Sequence, residues 1–439
     1  MRAARASERT FFKFANTFGK TYGCGQGDAR LNEVQPERAI DKEPGQSEYG
    51  GVTSAKVIYL HCNTSWKWHF EKYASALRKG GAEVELVEFH HGRRLDWIVG
   101  LCDGQMTARR FGRPLEIRCP IRMLREFERM WVRWVKFADG RRLSRYLAGS
   151  KATHLVAADP WALEFCVRAK ARNHAKVFYV VLEPYRHEIG GGERRKREVI
   201  RLERRNMPQV SGAFFMGKSI VQDYAGAYGG GDRFHILFNG WPLGLKPRRK
   251  ALRQTAGIPA GQTVILYTGF ICPIKGVSDV VAALARLPAS VVFVLIGFGD
   301  MEELKAEARL AGVGDRVILL PAVAQKELMD YAADADIGII PFRKENTHVY
   351  GCPGKMFEFM AAGLPLVVSD TPDMREMVLT HRLGEVFKAG DPADLARALR
   401  PLVESPEYRR QCAANSLQSH QSTFCWEEQS RKLAGIILG

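Results

Sequence analysis

From residue 55 onward the chain alternates short apolar runs with amphipathic stretches. Lys56 to Leu60 reads as a buried strand, His69 to Lys79 as a helix, and Ala82 to Phe89 as a strand. Lys151 to Ala158 is a further strand, Trp161 to Ala171 a helix, and Lys176 to Leu182 a strand. The second half repeats the pattern. Val264 to Thr268 precedes a helix ending at Ala285, and Val291 to Ile296 precedes a helix over Met301 to Ala311. Arg316 to Leu319, Ile337 to Ile340 and Leu366 to Ser369 complete the strands. Apolar strands alternating with helices predict parallel sheets covered on both faces. The expected fold class is α/β, with two doubly wound, Rossmann-like lobes facing a cleft.

Breaks in the pattern set the expected boundaries. Residues 1–50 mix Gly, Arg, Gln, Glu and Pro with little periodicity and read as a loosely ordered tail. Within it, Phe11-Phe12-Lys13-Phe14 reads as a solvated segment or a short basic anchor. A first lobe is expected over 51–240, ending at Asn239-Gly240. The Pro-, Gly- and charge-rich stretch Trp241 to Lys250 opens a linker over 241–260, and a second lobe follows over 261–425. At 439 residues the chain has ample core for two or three domains.

Nine cysteines without paired CxxC spacing argue against a zinc site or a disulfide framework, and so favour a reducing compartment. No apolar run approaches the ~18 residues of a membrane span, and no signal-peptide core is seen, so a cytoplasmic protein is expected. Charge is uneven: residues 1–240 hold 42 Lys and Arg against 26 Asp and Glu, while residues 241–439 hold 23 against 22. Of the net +17, the first half therefore carries +16. That asymmetry points to a polyanionic partner or an anionic membrane surface met by the first lobe.

The densest candidate chemistry is Cys352-Pro353-Gly354-Lys355-Met356-Phe357-Glu358-Phe359-Met360-Ala361-Ala362-Gly363-Leu364-Pro365, which runs into the strand Leu366 to Ser369. A Pro-Gly breaker opens a helix with Lys355 and Glu358 on one face. Amides at a helix start suit a diphosphate, Lys355 adds a cation, and Glu358 suits ribose hydroxyls. The block resembles the donor-binding segment of retaining glycosyltransferases of family 4 (glycosyl transferases group 1), many of which carry Pro-Asn-Lys-Leu-Phe-Glu-Tyr-Met-Ala-Ala-Gly. Gly354 stands where that Asn sits. Tyr350 stands where many members have a first Glu, eight residues before the second.

The resemblance implies a GT-B fold, transfer from a nucleotide diphosphate-sugar with retention of configuration, no cofactor and no metal. It also implies that the last residues, 426–439, form a helix returning to the first lobe. Donor-binding residues carried over are Gly269, Gly297, Gly299, Gly354, Lys355, Met356 and Glu358, with Lys275 and Lys355 as the catalytic cations. Lys275 lies in Tyr267-Thr268-Gly269-Phe270-Ile271-Cys272-Pro273-Ile274-Lys275-Gly276, where Phe270 replaces the family's Arg. Ile296-Gly297-Phe298-Gly299-Asp300 is similar to the family's Gly-x-Gly turn beside the donor base, though a bare β-turn reads equally well. Glu376 matches the Glu of the family's Pro-Glu-x-Val turn, with a structural role.

Asp334-Ala335-Asp336 offers paired carboxylates, but its place at a helix end before a strand favours a turn role over a metal site. In the first lobe, Asn63, Ser65, Trp66 and Asp159 are the candidate acceptor contacts, with helix capping as the alternative for the Thr64–Ser65 pair. A helix over Ile121 to Ala138 aligns Arg118, Arg122, Arg125, Arg129, Arg133 and Lys136 beside Leu124, Phe127, Trp131, Trp134 and Ala138. It reads either as a solvated face above a core face or as a helix lying on anionic lipid.

The function expected is sugar transfer to a lipid-linked or polysaccharide acceptor, at the inner face of the membrane if the basic lobe docks there. A sugar-nucleotide epimerase or hydrolase of the same fold is the alternative. A nucleic-acid-binding protein is weaker still, because the basic and aromatic residues match no recognition module.

Overall fold

The computed structural model describes residues 55–62, 67–89, 107–111, 125–187, 192–245, 247, 251–344 and 350–439. Among the described residues the first lobe holds seven strands: β1 (Lys56–His61), β2 (Glu83–Phe89), β3 (Thr107–Phe111), β4 (His154–Ala157), β5 (Lys176–Val181), β6 (Gly212–Phe215) and β7 (Phe234–Ile236). They form one sheet in the order β3-β2-β1-β4-β5-β6-β7, every pair parallel. The period of two sorts side chains to two cores. Ile58 and Leu60 of β1 face one helix layer, while Val57 and Tyr59 face the other.

The second lobe holds β8 (Thr263–Ile271), β9 (Val291–Gly299), β10 (Val317–Pro321), β11 (Ile337–Ile340), β12 (Leu366–Ser369) and β13 (Gly384–Phe387). Their order is β10-β9-β8-β11-β12-β13, again all parallel. Val264 and Leu266 pack on one side, Ile265 and Tyr267 on the other. Strand order reverses between β1 and β4 in one sheet and between β8 and β11 in the other, and open parallel sheets bind ligands beyond the carboxyl ends of such strands.

Chain segments cross between the lobes. The helix Trp426–Leu438 lies against the helix Lys67–Lys79, with Leu433 and Ile437 in the same core as Tyr73 and Leu77. The Tyr73 and Trp426 rings are 5.2 Å apart.

The basic helix differs from expectation. It spans Arg125–Gly149, and its core face is Val135, Leu143 and Leu147. Trp131 and Trp134, on the face read either as core or as lipid-facing, are exposed together with Met130 and Phe137. The earlier positions Arg118, Arg122 and Leu124 lie outside the described residues, as do the side chains of Arg125, Phe127, Arg129 and Arg133.

Candidate functional site

The carboxyl end of β8 is shaped by a glycine pair. Gly269 lies opposite Gly297 in the β8–β9 register. A Cβ on Gly297 would stand 1.8 Å from the Gly269 carbonyl oxygen, and Gly269 itself has φ of +120°, which side chains disfavour. The sequence placed a turn at Gly297-Phe298-Gly299. The two strands instead continue in register to Ile271 and Gly299, because glycine lets their backbones approach. The Phe270 and Phe298 rings pair at this end, 5.4 Å apart.

Lys355 reaches this point from the helix Gly354–Ala361. Its ammonium donates to the Thr268 carbonyl and lies 3.8 Å from the centroid of the Tyr267 ring. Lys275, in the turn after β8, places its ammonium 4.3 Å from the Phe342 ring, and Lys355 is 5.3 Å from the same ring. Burial pushes the Lys355 amine well down, and the charge on Lys275 pushes it further. Lys275 is also lowered by burial, partly offset by Cys272 and by Glu183 of the first lobe. Two cations over one aromatic ring are thus held where a bound anion would favour the charge on both.

One turn along, Glu358 is half-buried and shares a hydrogen bond with the Thr268 side chain. Burial raises its carboxyl, while Lys355 and then Lys72 favour the ionised form. Met356, expected at the donor, has its side chain wholly in the core, and its amide donates to the Pro353 carbonyl at 2.9 Å. Its position therefore fixes the helix start rather than lining the cleft. Gly354 opens the helix, and a Cβ there would stand 3.6 Å from Asn239 Nδ2.

In the first lobe, Asp159 is fully buried. Its carboxylate accepts the amides of Trp161 at 3.0 Å, Ala162 at 2.8 Å and Cys62 at 2.6 Å. It caps the helix Pro160–Asn173 and anchors the chain after β1, which leaves its oxygens engaged with backbone. Burial pushes this carboxyl up to about 6. Asn63, Ser65 and Trp66 lie outside the described residues.

Asp334 and Asp336 both serve Arg253. Asp336 accepts its guanidinium at 2.6 Å and the Val264 amide at 2.8 Å, and Asp334 accepts the Arg253 amide at 2.8 Å. These contacts lock the helix Ala251–Ala256 to the start of β8.

Several residues at this cleft carried no motif. Tyr350, in the family's Glu position, stacks on His187 of the first lobe with ring centroids 4.4 Å apart and planes 23° from parallel. His187 in turn contacts Asp223 at 2.8 Å. Glu183 follows β5, and its charge favours the protonated form of Lys275. Lys72 ties the helix Lys67–Lys79 to the end of the first lobe at Asn239, and Asp373 joins the two lobes. A polar residue after a buried strand was the available signal for Glu183; Lys72 resembled any exposed helical lysine.

Two facing parallel-sheet lobes with a cleft between their strand ends define the GT-B fold. HepE of Anabaena, in complex with UDP and glucose, superposes with a TM-score of 0.67 at 17% identity, over 87% of this chain and 98% of that one. Sucrose-phosphate synthase from Thermosynechococcus elongatus gives 0.68 at 14% identity, over 87% and 98%. Residues 262–405 match the family of glycosyl transferases group 1, and the second lobe is a domain of that family. A D-inositol 3-phosphate glycosyltransferase of Xylanimonas cellulosilytica is 28% identical over 230 residues, 49% of this chain and 54% of that protein. One from a Nocardioides species is 28% identical over 225 residues, 46% and 48%. The chain thus spans about half the length of these relatives.

Proposed function

We propose that the chain transfers a sugar from a nucleotide diphosphate-sugar to an acceptor, with retention of configuration and without a metal ion. The observation that carries this reading is the Lys275–Lys355 pair over Phe342, beside the glycine-lined end of β8. As the glycosidic bond breaks, negative charge develops on the leaving diphosphate, and two preplaced ammonium groups stabilise that charge without reorganising. Glu358 accepts hydrogen bonds from ribose hydroxyls, and the Phe270–Phe298 edge offers an aromatic surface to the base. Retention rests on the family resemblance: the donor's own phosphate assists the attacking hydroxyl. The names of the relatives, with HepE holding UDP, support the donor class.

The acceptor is lipid-linked or a growing polysaccharide, met by the basic first lobe at the cytoplasmic face of a membrane. Met130, Trp131, Trp134 and Phe137 support this arm, being exposed beside Lys136, Arg141, Arg142 and Arg145. Among the described residues no helix is long and apolar enough to cross a membrane, so attachment would be peripheral.

The test is a panel of UDP-, GDP- and ADP-sugars screened for a rise in unfolding temperature, followed by product analysis with and without acceptor. A ligand that binds only the folded state raises its stability. Sugar conversion without an acceptor would select the epimerase or hydrolase reading, and protection by none of the donors would sink the donor assignment.

A further inference from the structure

Residues 341–343 follow β11 and are fastened to the turn Pro273–Lys275 that follows β8. The Arg343 amide donates to the Ile274 carbonyl at 3.1 Å. Its guanidinium donates to both carboxylate oxygens of the buried Asp279, in the helix Val277–Leu284, at 2.8 and 3.3 Å. Gly276, at φ +65°, lies so close that a Cβ there would stand 1.9 Å from the Pro341 carbonyl oxygen. The ring of Phe342, only 4% exposed, is therefore tied through its backbone to the turn that carries Lys275.

That ring is the one group near both cations of the site. Lys275 Nζ lies 4.3 Å from its centroid and Lys355 Nζ 5.3 Å, while Lys355 has the Tyr267 ring at 3.8 Å besides. Among the described residues neither ammonium is ion-paired to a carboxylate. Two like charges held out of water repel, and each aromatic face attracts a cation within about 6 Å of its centroid through the ring quadrupole. A carboxylate in the same place would hold the ammonium groups more strongly, but it would repel an incoming anion. A ring carries no net charge, so it leaves both cations open to the ligand.

We propose that Phe342 is a positioning residue for both cations: its ring holds the Lys275 and Lys355 ammonium groups side by side in place of a carboxylate, and the Arg343–Asp279 pair fixes that ring against the Lys275 turn. The inference rests on the donor reading above and adds to it what keeps two like charges together before the donor binds.

The experiment places mono-, di- and trifluorinated phenylalanine at position 342 of the full chain. Fluorine drains negative charge from the ring face while nearly keeping its size, so packing stays and the attraction for cations fades. Turnover of whichever UDP-, GDP- or ADP-sugar yields product should fall stepwise with each added fluorine, by roughly five- to tenfold at the trifluorinated ring. Donor KM should move less, because the diphosphate gains charge in the transition state. Phe342→Tyr keeps the aromatic face and should fall less than Phe342→Leu. Turnover that stays flat along the fluorine series would overturn the proposal and leave Phe342 as a core residue only.

A second measurement separates this outcome from failure of the donor reading. Unfolding temperatures of the ligand-free fluorine series are compared in three backgrounds: wild type, Lys275→Met and Lys355→Met. In the wild type the cation attraction lost between phenylalanine and the trifluorinated ring should cost roughly 2–4 °C relative to the Met backgrounds, where any effect of fluorine on packing is the same. The difference should be larger against Lys275→Met, whose ammonium is the nearer. If no donor binds but the backgrounds differ in this way, the ring–cation link stands and only the donor reading falls. Equal shifts in all three backgrounds would overturn the link whatever the nucleotides do.

Discussion

The carboxylate of Asp373, in the second lobe, accepts the backbone amide of Ser219 in the first lobe at 3.1 Å, and the Ser219 hydroxyl donates to it as well. The same side chain takes the amides of Lys218 and of Gly351, each at 2.8 Å. Gly217 has no side chain to cap the helix Lys218–Tyr228, so a residue from the other lobe does so. A Cβ on Gly217 would come within 2.6 Å of the Gly351 Cα, which shows how closely the two loops meet. The Lys218–Glu376 ion pair, 3.1 Å long and more than half exposed on both sides, adds little by comparison.

Asp373→Ala should therefore loosen the lobes more than it harms either one. It strands several amides at once, and a buried unpaired donor costs about 1–3 kcal/mol. Calorimetry should show a lower unfolding temperature and a transition that broadens or splits as the lobes uncouple. Glu376→Ala should leave the transition in place. A single unchanged transition in Asp373→Ala would show that the lobes are held by other contacts.

Glu358→Ala should weaken nucleotide binding by roughly 1.5–3 kcal/mol, the worth of hydrogen bonds to a charged group. Titration calorimetry against the nucleotide that best protects the wild type measures it. Wild-type affinity in a folded variant would remove Glu358 from the donor site.

Lys275→Ala and Lys355→Ala should lower turnover by roughly 10²-fold, more than they weaken donor binding, because the diphosphate gains charge in the transition state. Chelators should leave wild-type turnover unchanged. If activity disappears with chelator and returns with Mn²⁺ or Mg²⁺, metal independence is wrong and the leaving group is neutralised differently.

Much of this architecture was readable because it rests on period. Ile337–Ile340 and Leu366–Ser369 are four-residue runs buried on both faces, and their pattern alone marks them as strands. β8 and β9 run past their expected ends because Gly269 and Gly297 look like breakers in sequence yet permit close strand approach in space. β3, β6, β7 and β13 escaped notice: β3, β7 and β13 are short runs at sheet edges, and β6, Gly-Ala-Phe-Phe, is a four-residue buried run that opens on glycine. Lys355 and Glu358 were legible by spacing, but their partners Thr268 and Phe342 come from remote segments. Asp373 looked like an ordinary first-turn acid after Pro372, and nothing local announces that its partner is a helix in the other lobe.

A buried carboxylate gives a prediction about pH. Glu203 accepts hydrogen bonds from Tyr179 at 3.0 Å, Tyr224 at 3.0 Å and Tyr228 at 2.9 Å, and burial pushes it up to about 7 from 4.5. The folded state therefore holds this proton more tightly than the unfolded state. Its contribution to stability is fully present below pH 4.5 and is lost as pH rises to about 7. Glu203→Gln keeps an acceptor and cannot titrate. Relative to wild type it should gain about 1–3 kcal/mol between pH 4.5 and pH 7, read from urea unfolding at several pH values. A difference that stays flat across that window would place the Glu203 titration elsewhere.

The exposed face of the helix Arg125–Gly149 decides the acceptor question most directly. Trp134 and Phe137 are each 61% exposed and Met130 is 59% exposed, far more than core packing would leave. Arg141 lies 5.4 Å from the Phe137 ring centroid, so cation and apolar group share one surface. Tryptophan beside basic side chains suits the headgroup region of an anionic bilayer, where each basic residue adds about 1 kcal/mol of attraction. Cosedimentation with phosphatidylglycerol-rich vesicles should be strong at low salt and weak at high salt. Trp134→Gln with Phe137→Gln should weaken it at both, because those rings contribute burial rather than charge, while nucleotide binding stays at the wild-type level. Wild-type protein that ignores such vesicles at low salt would make a soluble acceptor the better choice and leave this face solvated.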